Sequence, residues 1–439
     1  MRELSNTTKQ YKKADWIPVA NIYEVNIRQY TPEGTFNAFR AHLPRLKEMG
    51  VEVLWFMPVT PISQKNKKGI LGSYYACSDY VSVNPEFGTL ADYKDLVKDA
   101  QALGFKVIMD WVANHTGWDH VWTRTNPDFY LKDPVNNEFK TPKGMEDIIE
   151  LDYSNPLLRK AMIEAMGSWV KECGIDGFRC DLAFWVNLDF WEEARTRLER
   201  TKTLFWLGEF DPLEKPEYCM VFDAAYTWTW MHSSEKFCKK ECSLALLKNL
   251  LQRYKLPAGE DTGQWYGNNT IPVWFTSNHD ENSWNGTEYE KYGNNALAFA
   301  VFGSTWEGMP MIYSGQEQPN KKRLAFFEKD TIAWGDNKKL HKFYRILLNL
   351  RKTNPALMAG TTALLNTNND ESMLVYLRGN SKHSVLVLLN LGESTTQCRL
   401  TGEPVSGSFR EVFTKRIEDI NGQSIFELGP GGWRVYENC

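Results

Sequence analysis

Eight short apolar runs rich in β-branched residues recur along the first three quarters of the chain, and they constrain the fold most. Strands that alternate with amphipathic helices form a parallel sheet, and eight strands close a barrel. We therefore predict a (β/α)8 TIM barrel. Its strands are expected at Ala20–Ile27, Val51–Met57, Phe105–Asp110, Gly174–Asp181, Leu204–Glu209, Cys219–Ala225, Pro272–Asn278 and Met309–Ser314.

Helical periodicity fills most of the intervals between these runs. The clearest examples are Phe36–Met49, Leu90–Leu103, Pro156–Cys173, Ser243–Tyr254 and Leu340–Arg351. The interval between the fifth and sixth runs is too short for a full helix.

Two stretches break the alternation of strand and helix. Residues 116–155 are rich in Asn, Asp, Lys and Pro, and predict a short lobe inserted after the third strand. Beyond Pro355 the pattern changes to strand-like runs separated by turn residues, which predicts a C-terminal antiparallel β-sandwich over 356–439. The barrel is then expected to comprise 1–115 and 156–355. The C-terminal runs are Ser372–Leu377, Ser384–Asn390, Gly407–Val412 and Ser424–Leu428.

The charge balance gives no reason to expect nucleic acid or an anionic membrane as a partner. The 439 residues include 51 Lys and Arg and 55 Asp and Glu, a formal net charge of −4. No apolar run reaches the roughly 18 residues that a membrane span needs. Residues Met1–Asn6 lead into polar sequence without a hydrophobic leader, so we expect a cytoplasmic protein. We also expect a monomer. A periplasmic or secreted protein whose leader had been removed would show the same sequence.

Cysteines and aromatic residues add two further expectations. The eight cysteines show no CxxC spacing, so we interpret most of them as reduced thiols that line the core. The 17 Trp, 19 Tyr and 23 Phe are more than core filling usually requires. Aromatic rings in a cleft can stack on the apolar faces of sugar rings, although a bulky core accounts for most of these side chains.

Acidic residues stand at the ends of four predicted strands. They are Asp110, which Asn114 and His115 follow; Asp181, which Arg179 precedes; Glu209; and Asp280, which His279 precedes. A single acidic residue after a strand is more often a helix cap or a turn former. Four acidic residues on one rim, with His, Asn and Arg beside them, are more than helix capping can explain. Because the carboxyl ends of barrel strands meet at one face, we predict the active site there.

A cluster of carboxylates suits cleavage of a glycosidic bond, which needs one protonated and one ionised carboxyl group at the same pH. Arg179 points the same way as Asp181, because strand side chains repeat every two residues, and would keep Asp181 ionised. Glu209 has no fixed cation nearby in the sequence, so it would keep its proton and donate it. Its pKa would rise further if the pocket is walled by its neighbours Phe205, Trp206, Leu207 and Phe210.

These segments resemble, in order, the four signature regions of the α-amylase family of glycoside hydrolases, and the resemblance covers nearly the whole chain. Further matching segments are Tyr23–Arg28 for the first strand, Ser78–Tyr80 and Asn84–Gly88 after the second, Leu151–Pro156 at the end of the family's inserted domain B, and Ile312–Glu317 for the eighth strand. The resemblance implies that residues 116–155 are domain B and 356–439 are domain C.

The resemblance implies a role for each matching residue. Asp181 would be the nucleophile, Glu209 the general acid/base, and Asp280 the carboxylate that holds sugar hydroxyls and stabilises the distorted ring. The implied sugar-binding or site-shaping residues are Tyr75, His115, His279, Arg179, Asp110 and Asn114. Tyr75 could instead be a core tyrosine. The histidines without a motif, expected at the surface or in packing, are His42, His120, His232, His341 and His383.

The sequence departs from the family pattern at two places. Ala76 follows Tyr75 where the family often has Asp, so any contact of that Asp is lost. Phe184 and Trp185 stand where many α-amylases have Lys and His, on the leaving-group side, and predict an aromatic wall that favours a sugar acceptor. Tyr226, Trp228 and Trp230 either extend this wall or form one buried strand face.

Three functions remain open at this point. The first is a retaining hydrolase of α-1,4 linkages in starch, maltodextrins or related oligosaccharides. The second is a transglycosylase, glucanotransferase or glucan isomerase, in which a sugar hydroxyl resolves the covalent intermediate. The third is a non-catalytic glucan-binding protein on the same fold, against which the intact Asp181, Glu209 and Asp280 argue.

Calcium is the one cofactor that the resemblance raises. Many members bind it between the barrel and domain B through an Asn such as Asn114, domain B carboxylates and a backbone carbonyl near position 185. A hard cation needs six to eight oxygen ligands. The spacing of the acidic residues in this short lobe matches no compact calcium-binding loop. The lobe carboxylates are Asp119, Asp128, Asp133, Glu138, Glu146, Asp147, Glu150 and Asp152. We predict that no cofactor is required and that activity does not depend on calcium.

Overall fold

The computed structural model describes residues 11–255, 270–335, 339–402 and 405–439. The first ten strands are β1 (Ile22–Val25), β2 (Val53–Phe56), β3 (Lys106–Trp111), β4 (His115–Gly117), β5 (Ile148–Glu150), β6 (Gly177–Cys180), β7 (Phe205–Gly208), β8 (Ala224–Tyr226), β9 (Ile271–Trp274) and β10 (Met309–Tyr313). All except β4 and β5 pair in parallel and close a barrel in the order β1-β10-β9-β8-β7-β6-β3-β2. Each of the eight predicted runs overlaps one barrel strand, so the predicted (β/α)8 barrel is confirmed.

Helices surround the barrel. They are α1 (Ile27–Tyr30), α2 (Phe36–Arg40), α3 (Leu43–Met49), α4 (Leu90–Ala102), α5 (Trp122–Thr125), α6 (Pro156–Cys173), α7 (Leu188–Leu198), α8 (Trp228–Cys238), α9 (Leu244–Arg253), α10 (Glu288–Tyr292), α11 (Ala296–Thr305), α12 (Lys339–Thr353) and α13 (Pro355–Ala359). Between β7 and β8 lies a short 3-10 helix, Pro216–Met220, in the interval that is too short for a full helix.

Local sequence signals set the ends of α6 where the periodicity predicts them. The Asn155 side chain accepts a hydrogen bond from the backbone N–H of Leu157, and Pro156 occupies the first turn. Gly174 ends the helix with φ at +69°, a conformation that glycine adopts at little cost. The single helix predicted over 36–49 is wrong, because it divides into α2 and α3. Pro44, in the first turn of α3, explains the break, since proline disfavours a continuous helix.

The inserted lobe is anchored to the barrel by a short antiparallel pair. Strands β4 and β5 pair with His115 opposite Glu150. Tyr153 donates its hydroxyl to the carbonyl of Ala113 at 2.7 Å, and Tyr80 donates to the carbonyl of His115 at 3.0 Å. These bonds fix the backbone at His115, where the chain passes from the barrel rim into the lobe.

The C-terminal region is an antiparallel β domain. Its strands are β11 (Thr361–Thr367), β12 (Met373–Gly379), β13 (Ser384–Asn390), β14 (Thr396–Cys398), β15 (Leu400–Thr401), β16 (Gly407–Glu411), β17 (Ile417–Ile420), β18 (Phe426–Leu428) and β19 (Trp433–Asn438). Seven of them form a sheet in the order β15-β11-β12-β13-β19-β16-β17, and β14 pairs with β18. The sheet and this ribbon share a buried core, so the predicted C-terminal β domain is confirmed.

The two faces of the seven-stranded sheet pack into two different hydrophobic cores, because strand side chains alternate in direction. Met373 and Val375 pack towards the β14–β18 ribbon. Leu374 and Tyr376 belong to the large core of the barrel, where Tyr376 lies 2.6 Å from the hydroxyl of Thr305. The barrel and the C-terminal domain therefore share buried surface.

Two further expectations concern cysteines and membrane spans. All eight cysteines are unpaired, as the sequence predicts. Within the described ranges, no helix combines the length and the apolar character needed to cross a membrane. Residues Met1–Asn6, considered above for a leader, lie outside those ranges.

Candidate active site

A cavity of about 490 Å³ lies at the carboxyl ends of the barrel strands. Asp181 directly follows β6, Glu209 directly follows β7, and Asp280 lies on the loop after β9. The side chains that line the cavity include Lys68, Tyr75, His115, Met145, Asp181, Leu182, Glu209, Asp280, Trp284, Phe326 and Phe327. Five of the predicted site residues, including all three carboxylates of the predicted triad, therefore meet in one cavity.

Arg179 is fully buried and contacts three carboxylates at once. Its Nη1 atom lies 2.7 Å from Asp181 Oδ1 and 3.1 Å from Asp110 Oδ1, and its Nη2 atom lies 3.0 Å from Glu209 Oε2. The expectation that Glu209 lacks a nearby cation is therefore wrong. Arg179 pairs in register with Leu207, and Glu209, two residues further on, projects to the same side.

Glu209 is held by a second donor as well. The backbone N–H of Leu182 donates to Glu209 Oε2 at 2.8 Å. Leu182 has φ at +41°, in the left-handed region, which costs a branched residue about 1–2 kcal/mol. Strained residues of this kind cluster at functional sites, and here the strained turn directs an N–H at a site carboxylate.

The environment separates the acidities of Asp181 and Glu209. Burial raises the pKa of Asp181 to about 6, although Arg179 opposes the increase. Burial raises the pKa of Glu209 to about 7, again against Arg179 and with a contribution from the charge of Asp181. Burial therefore favours the protonated form of both carboxyl groups, and the higher pKa of Glu209 is in the direction that a general acid requires.

The apolar wall around Glu209 differs from the predicted one. Phe205 and Leu207 point into the barrel interior, whereas Trp206 and Phe210 pack in the outer core. None of these four side chains is part of the cavity lining, because they precede or follow the strand end where the cavity opens. The apolar lining comes from other loops, through Met145, Leu182, Trp284, Phe326 and Phe327.

His279 links Asp280 to a residue that the sequence motifs did not single out. Its Nε2 atom lies 2.7 Å from the Tyr75 hydroxyl and 3.3 Å from Asp280 Oδ2, and its Nδ1 atom lies 2.5 Å from Glu24 Oε1. Burial acts to lower the pKa of His279, but Asp280 and Glu24 together raise it well above its ordinary value. The charge of His279 in turn holds the pKa of Asp280 below its usual value, against the effect of burial.

Tyr75, His115 and Asp110 complete the predicted site. The Tyr75 hydroxyl donates to Asp110 Oδ2 at 3.1 Å, and its ring lines the cavity. Burial lowers the pKa of His115 to about 4, so this cavity-lining imidazole is neutral near pH 7. Asp110 lies behind the cavity, where the Trp55 indole N–H donates to it at 3.2 Å. Tyr75 is thus a buried residue that also faces the cavity.

The expected aromatic acceptor wall is only partly placed at the site. Phe184 and Trp185 lie in a 3-10 turn just beyond the cavity-lining Leu182, and neither is part of the lining itself. Trp185 is 39% exposed. Tyr226 and Trp230 are buried, Tyr226 inside the barrel and Trp230 in the outer core, so they do not extend an acceptor surface. Trp228 stacks on Tyr226 at 5.4 Å but begins helix α8, so the three residues do not share a strand face either.

Asn114, which the resemblance implies as a possible calcium ligand, lies between β3 and β4. Asn114 is buried, with its amide nitrogen 3.4 Å from Nδ1 of His115. Three lobe carboxylates have partners, although Asp119 Oδ1 has none among the described residues: Asp119 Oδ2 accepts backbone N–H groups of 64 and 65, Asp147 pairs with Lys68, and Glu150 pairs with Lys140. Within the described ranges, no three acidic, histidine or cysteine side chains converge in a way that could hold a metal.

Fold and site together define a class of protein. A (β/α)8 barrel that brings three acidic side chains, a buried arginine and two histidines to the carboxyl ends of its strands has the active-site layout of a glycosidase. The family described as "Alpha amylase, catalytic domain" matches residues 6–147 and 130–333, which is more than half of the chain. The chain belongs to the α-amylase family of glycoside hydrolases, as the sequence resemblance implies.

Known relatives support this assignment and span different activities. A noncanonic maltogenic α-amylase, AmyB from Thermotoga neapolitana, superposes with a TM-score of 0.86 at 29% identity, over 96% of this chain and 99% of that one. Alpha-amylase 2 of Dictyoglomus thermophilum is 25% identical over 90% of this chain, and a cyclomaltodextrin glucanotransferase of a Bacillus species is 26% identical over 89%. This chain covers 69% and 60% of the lengths of those two curated relatives.

Proposed function

We propose that the protein cleaves α-1,4-glucosidic bonds of starch-derived glucans or maltooligosaccharides with retention of anomeric configuration. The observation that carries this proposal is the single guanidinium of Arg179, which contacts both Asp181 and Glu209. Two carboxyl groups that share one guanidinium lie close together. Retaining glycosidases hold their two carboxyl groups about 5–5.5 Å apart, too close for an intervening water.

The reaction then takes two steps. Asp181 attacks the anomeric carbon while Glu209 transfers its proton to the leaving glycosidic oxygen, so the C–O bond breaks as the glycosyl ester forms. Water next enters on the vacated side, gives its proton to Glu209 and attacks the same carbon, which releases Asp181. Asp280, which lines the cavity, would bind hydroxyls of the sugar together with the neighbouring imidazole of His279.

Two sets of contacts join the loops that contribute Lys68, Met145 and Phe327 to the cavity lining. The Lys68 ammonium donates to the carbonyl of Gly144 at 2.7 Å and pairs with Asp147 at 3.1 Å, which joins the loop after β2 to the lobe. The N–H of Leu71 donates to the carbonyl of Phe327 at 3.0 Å, which joins that loop to the segment after β10. We infer that these joined loops limit the space for the glycosyl part that is transferred to Asp181.

The contacts between these loops support a preference for a short transferred unit. The maltogenic activity in the name of the related Thermotoga enzyme agrees with such a preference. We expect glucose and maltose to dominate the products of maltoheptaose cleavage. Chromatography of the early products tests this, and a broad ladder of long products would contradict it.

The test of the retaining mechanism is the anomer that forms first. Proton NMR during cleavage of an α-linked maltooligosaccharide should show the α-anomer of the new reducing end before mutarotation. An initial β-anomer would overturn the assignment of Asp181 as nucleophile.

Transfer to a sugar acceptor is the second candidate function. Trp185 supports it, because this exposed indole lies three residues beyond Leu182, a cavity-lining residue whose N–H donates to Glu209. The name of the related cyclomaltodextrin glucanotransferase describes such a transfer. Chain-lengthened products at high maltooligosaccharide concentration would demonstrate it. Non-catalytic glucan binding has no comparable support, because the three carboxylates converge on one cavity.

A further inference from the structure

The carboxylate of Glu24 contacts the active-site histidine from outside the cavity lining. Glu24 lies in the middle of β1, is completely buried, and pairs in register with Trp55 of β2 and Tyr313 of β10. Its Oε1 atom lies 2.5 Å from Nδ1 of His279, and its Oε2 atom has no hydrogen-bond partner among the described residues. A buried charge of this kind is costly unless a cation compensates it.

We propose that Glu24 is a positioning residue that holds Nδ1 of His279, so that the ring stays doubly protonated and Nε2 donates towards Asp280 and the bound sugar. The role for the sugar rests on the proposed glucan cleavage. Glu24 touches neither the cavity nor Asp181 or Glu209, and it acts only through the imidazole.

The contacts of the two ring nitrogens explain why the charge of Glu24 matters. If the ring were neutral with its proton on Nδ1, Nε2 would be an acceptor 3.3 Å from the carboxylate oxygen of Asp280, and the two would repel. A doubly protonated ring donates to Glu24 with Nδ1, while its Nε2–H faces the Tyr75 hydroxyl at 2.7 Å and the negative charge of Asp280 at 3.3 Å. Glu24 and Asp280 together therefore stabilise the protonated ring.

Some charged groups near His279 stabilise the protonated ring, and others destabilise it. Asp110 of β3 adds negative charge, whereas Arg179 of β6 adds positive charge close to the same carboxylates. The remaining neighbours are the Tyr75 hydroxyl and the rings of Trp55 and Phe326. Glu24 is the carboxylate that contacts Nδ1, so removing its charge should weaken the protonated form most directly.

The test replaces Glu24 with Gln, which keeps the size and an acceptor oxygen but removes the charge. We expect kcat/KM at pH 8 to fall about 10- to 100-fold, as for the loss of a charge-assisted hydrogen bond, and to recover towards the wild-type value at pH 6. The matched control is Glu411→Gln. It removes a buried carboxylate of β16 in the C-terminal domain, which accepts from the backbone N–H of Thr414 at 2.6 Å, and should leave the profile unchanged.

The second readout does not depend on activity. Nitrogen-15 NMR of the imidazoles, with the His279 signal identified by its absence in His279→Asn, reports whether both ring nitrogens carry protons. In the wild type and in Glu24→Asp, which keeps the charge, both should stay protonated above pH 8. In Glu24→Gln one proton should be lost below that pH.

Two results separate failure of this inference from failure of the proposed function. If the His279 ring in Glu24→Gln keeps both protons over the same range as the wild type, the inference is overturned even if the enzyme cleaves glucans. If the wild type cleaves no glucan but the NMR change occurs, the proposed function fails while Glu24 still positions His279.

Discussion

Replacing Glu209 with Gln should slow glucan cleavage strongly and abolish the alkaline limb of the pH profile. The neutral carboxylic acid at this position is half populated near pH 7, because burial raises the pKa of Glu209 to about 7. Asp181, with a pKa raised to about 6, must be ionised at the same time. The reactive form therefore combines an ionised Asp181 with a protonated Glu209, and kcat/KM should fall towards both acid and alkaline pH.

The size of the effect depends on the leaving group. A positioned general acid contributes about 100- to 10,000-fold, so Glu209→Gln should lose about 3–5 kcal/mol of transition-state stabilisation with maltoheptaose at pH 6.5. A nitrophenyl α-maltoside has a leaving group that needs little protonation, so formation of the glycosyl ester should be slowed far less. With this substrate the variant should keep its acid limb, set by Asp181, and lose its alkaline limb.

The assay is pre-steady-state release of nitrophenol, compared with release of reducing ends from maltoheptaose. Asp181→Asn is the matched control, because it removes the nucleophile and should impair both substrates equally. If Glu209→Gln impairs both substrates to the same degree, or keeps an alkaline limb near pH 7 with the aryl substrate, Glu209 is not the general acid.

Three further predictions concern the cavity wall, the acceptor side and calcium. Lys68→Ala should lengthen the early products of maltoheptaose, because it breaks the contacts with Gly144 and Asp147. The control Lys67→Ala, which removes a surface hydrogen bond to Gln64, should not. Identical product patterns for the two variants would contradict the proposal that these loop contacts limit product length. Trp185→Ala should lower the ratio of transfer to hydrolysis at high oligosaccharide concentration, and an unchanged ratio would exclude its acceptor role. Dialysis against EDTA should leave the thermal melting temperature and activity unchanged, whereas losses that calcium alone restores would make Asn114 a ligand.

The carboxylates of the site could be predicted from the sequence because each follows a strand directly or lies in a short loop after it. Asp181 and Glu209 need only the strand period and the rule that barrel strands end at one face. The contact of Arg179 with Glu209 depends on the register between β6 and β7, which a single sequence does not specify. Glu24 was missed for a related reason, since its partner His279 is 255 positions away in the chain.

Exposure explains why some elements escaped prediction. Strand β17 has the sequence Ile-Glu-Asp-Ile with three exposed residues, and β11 is exposed over much of its length, so neither shows a strong apolar pattern. The break before α3 was visible as Pro44, but the surrounding apolar periodicity favoured one continuous helix. The cavity lining at Trp284, Phe326 and Phe327 comes from loops, whose positions no periodicity reports.

The seven-stranded sheet, with one face in each of two cores, has a consequence for the unfolding of the whole chain. Strands β12 and β13 cannot separate from the barrel without exposing apolar side chains on both sides of the break, so the barrel and the C-terminal domain should melt in one cooperative transition. A chain cut after α12 would leave Thr305 and its neighbours on α11 facing water instead of Tyr376. The C-terminal domain thus completes the hydrophobic core of the barrel, and we expect the barrel to lose stability without it.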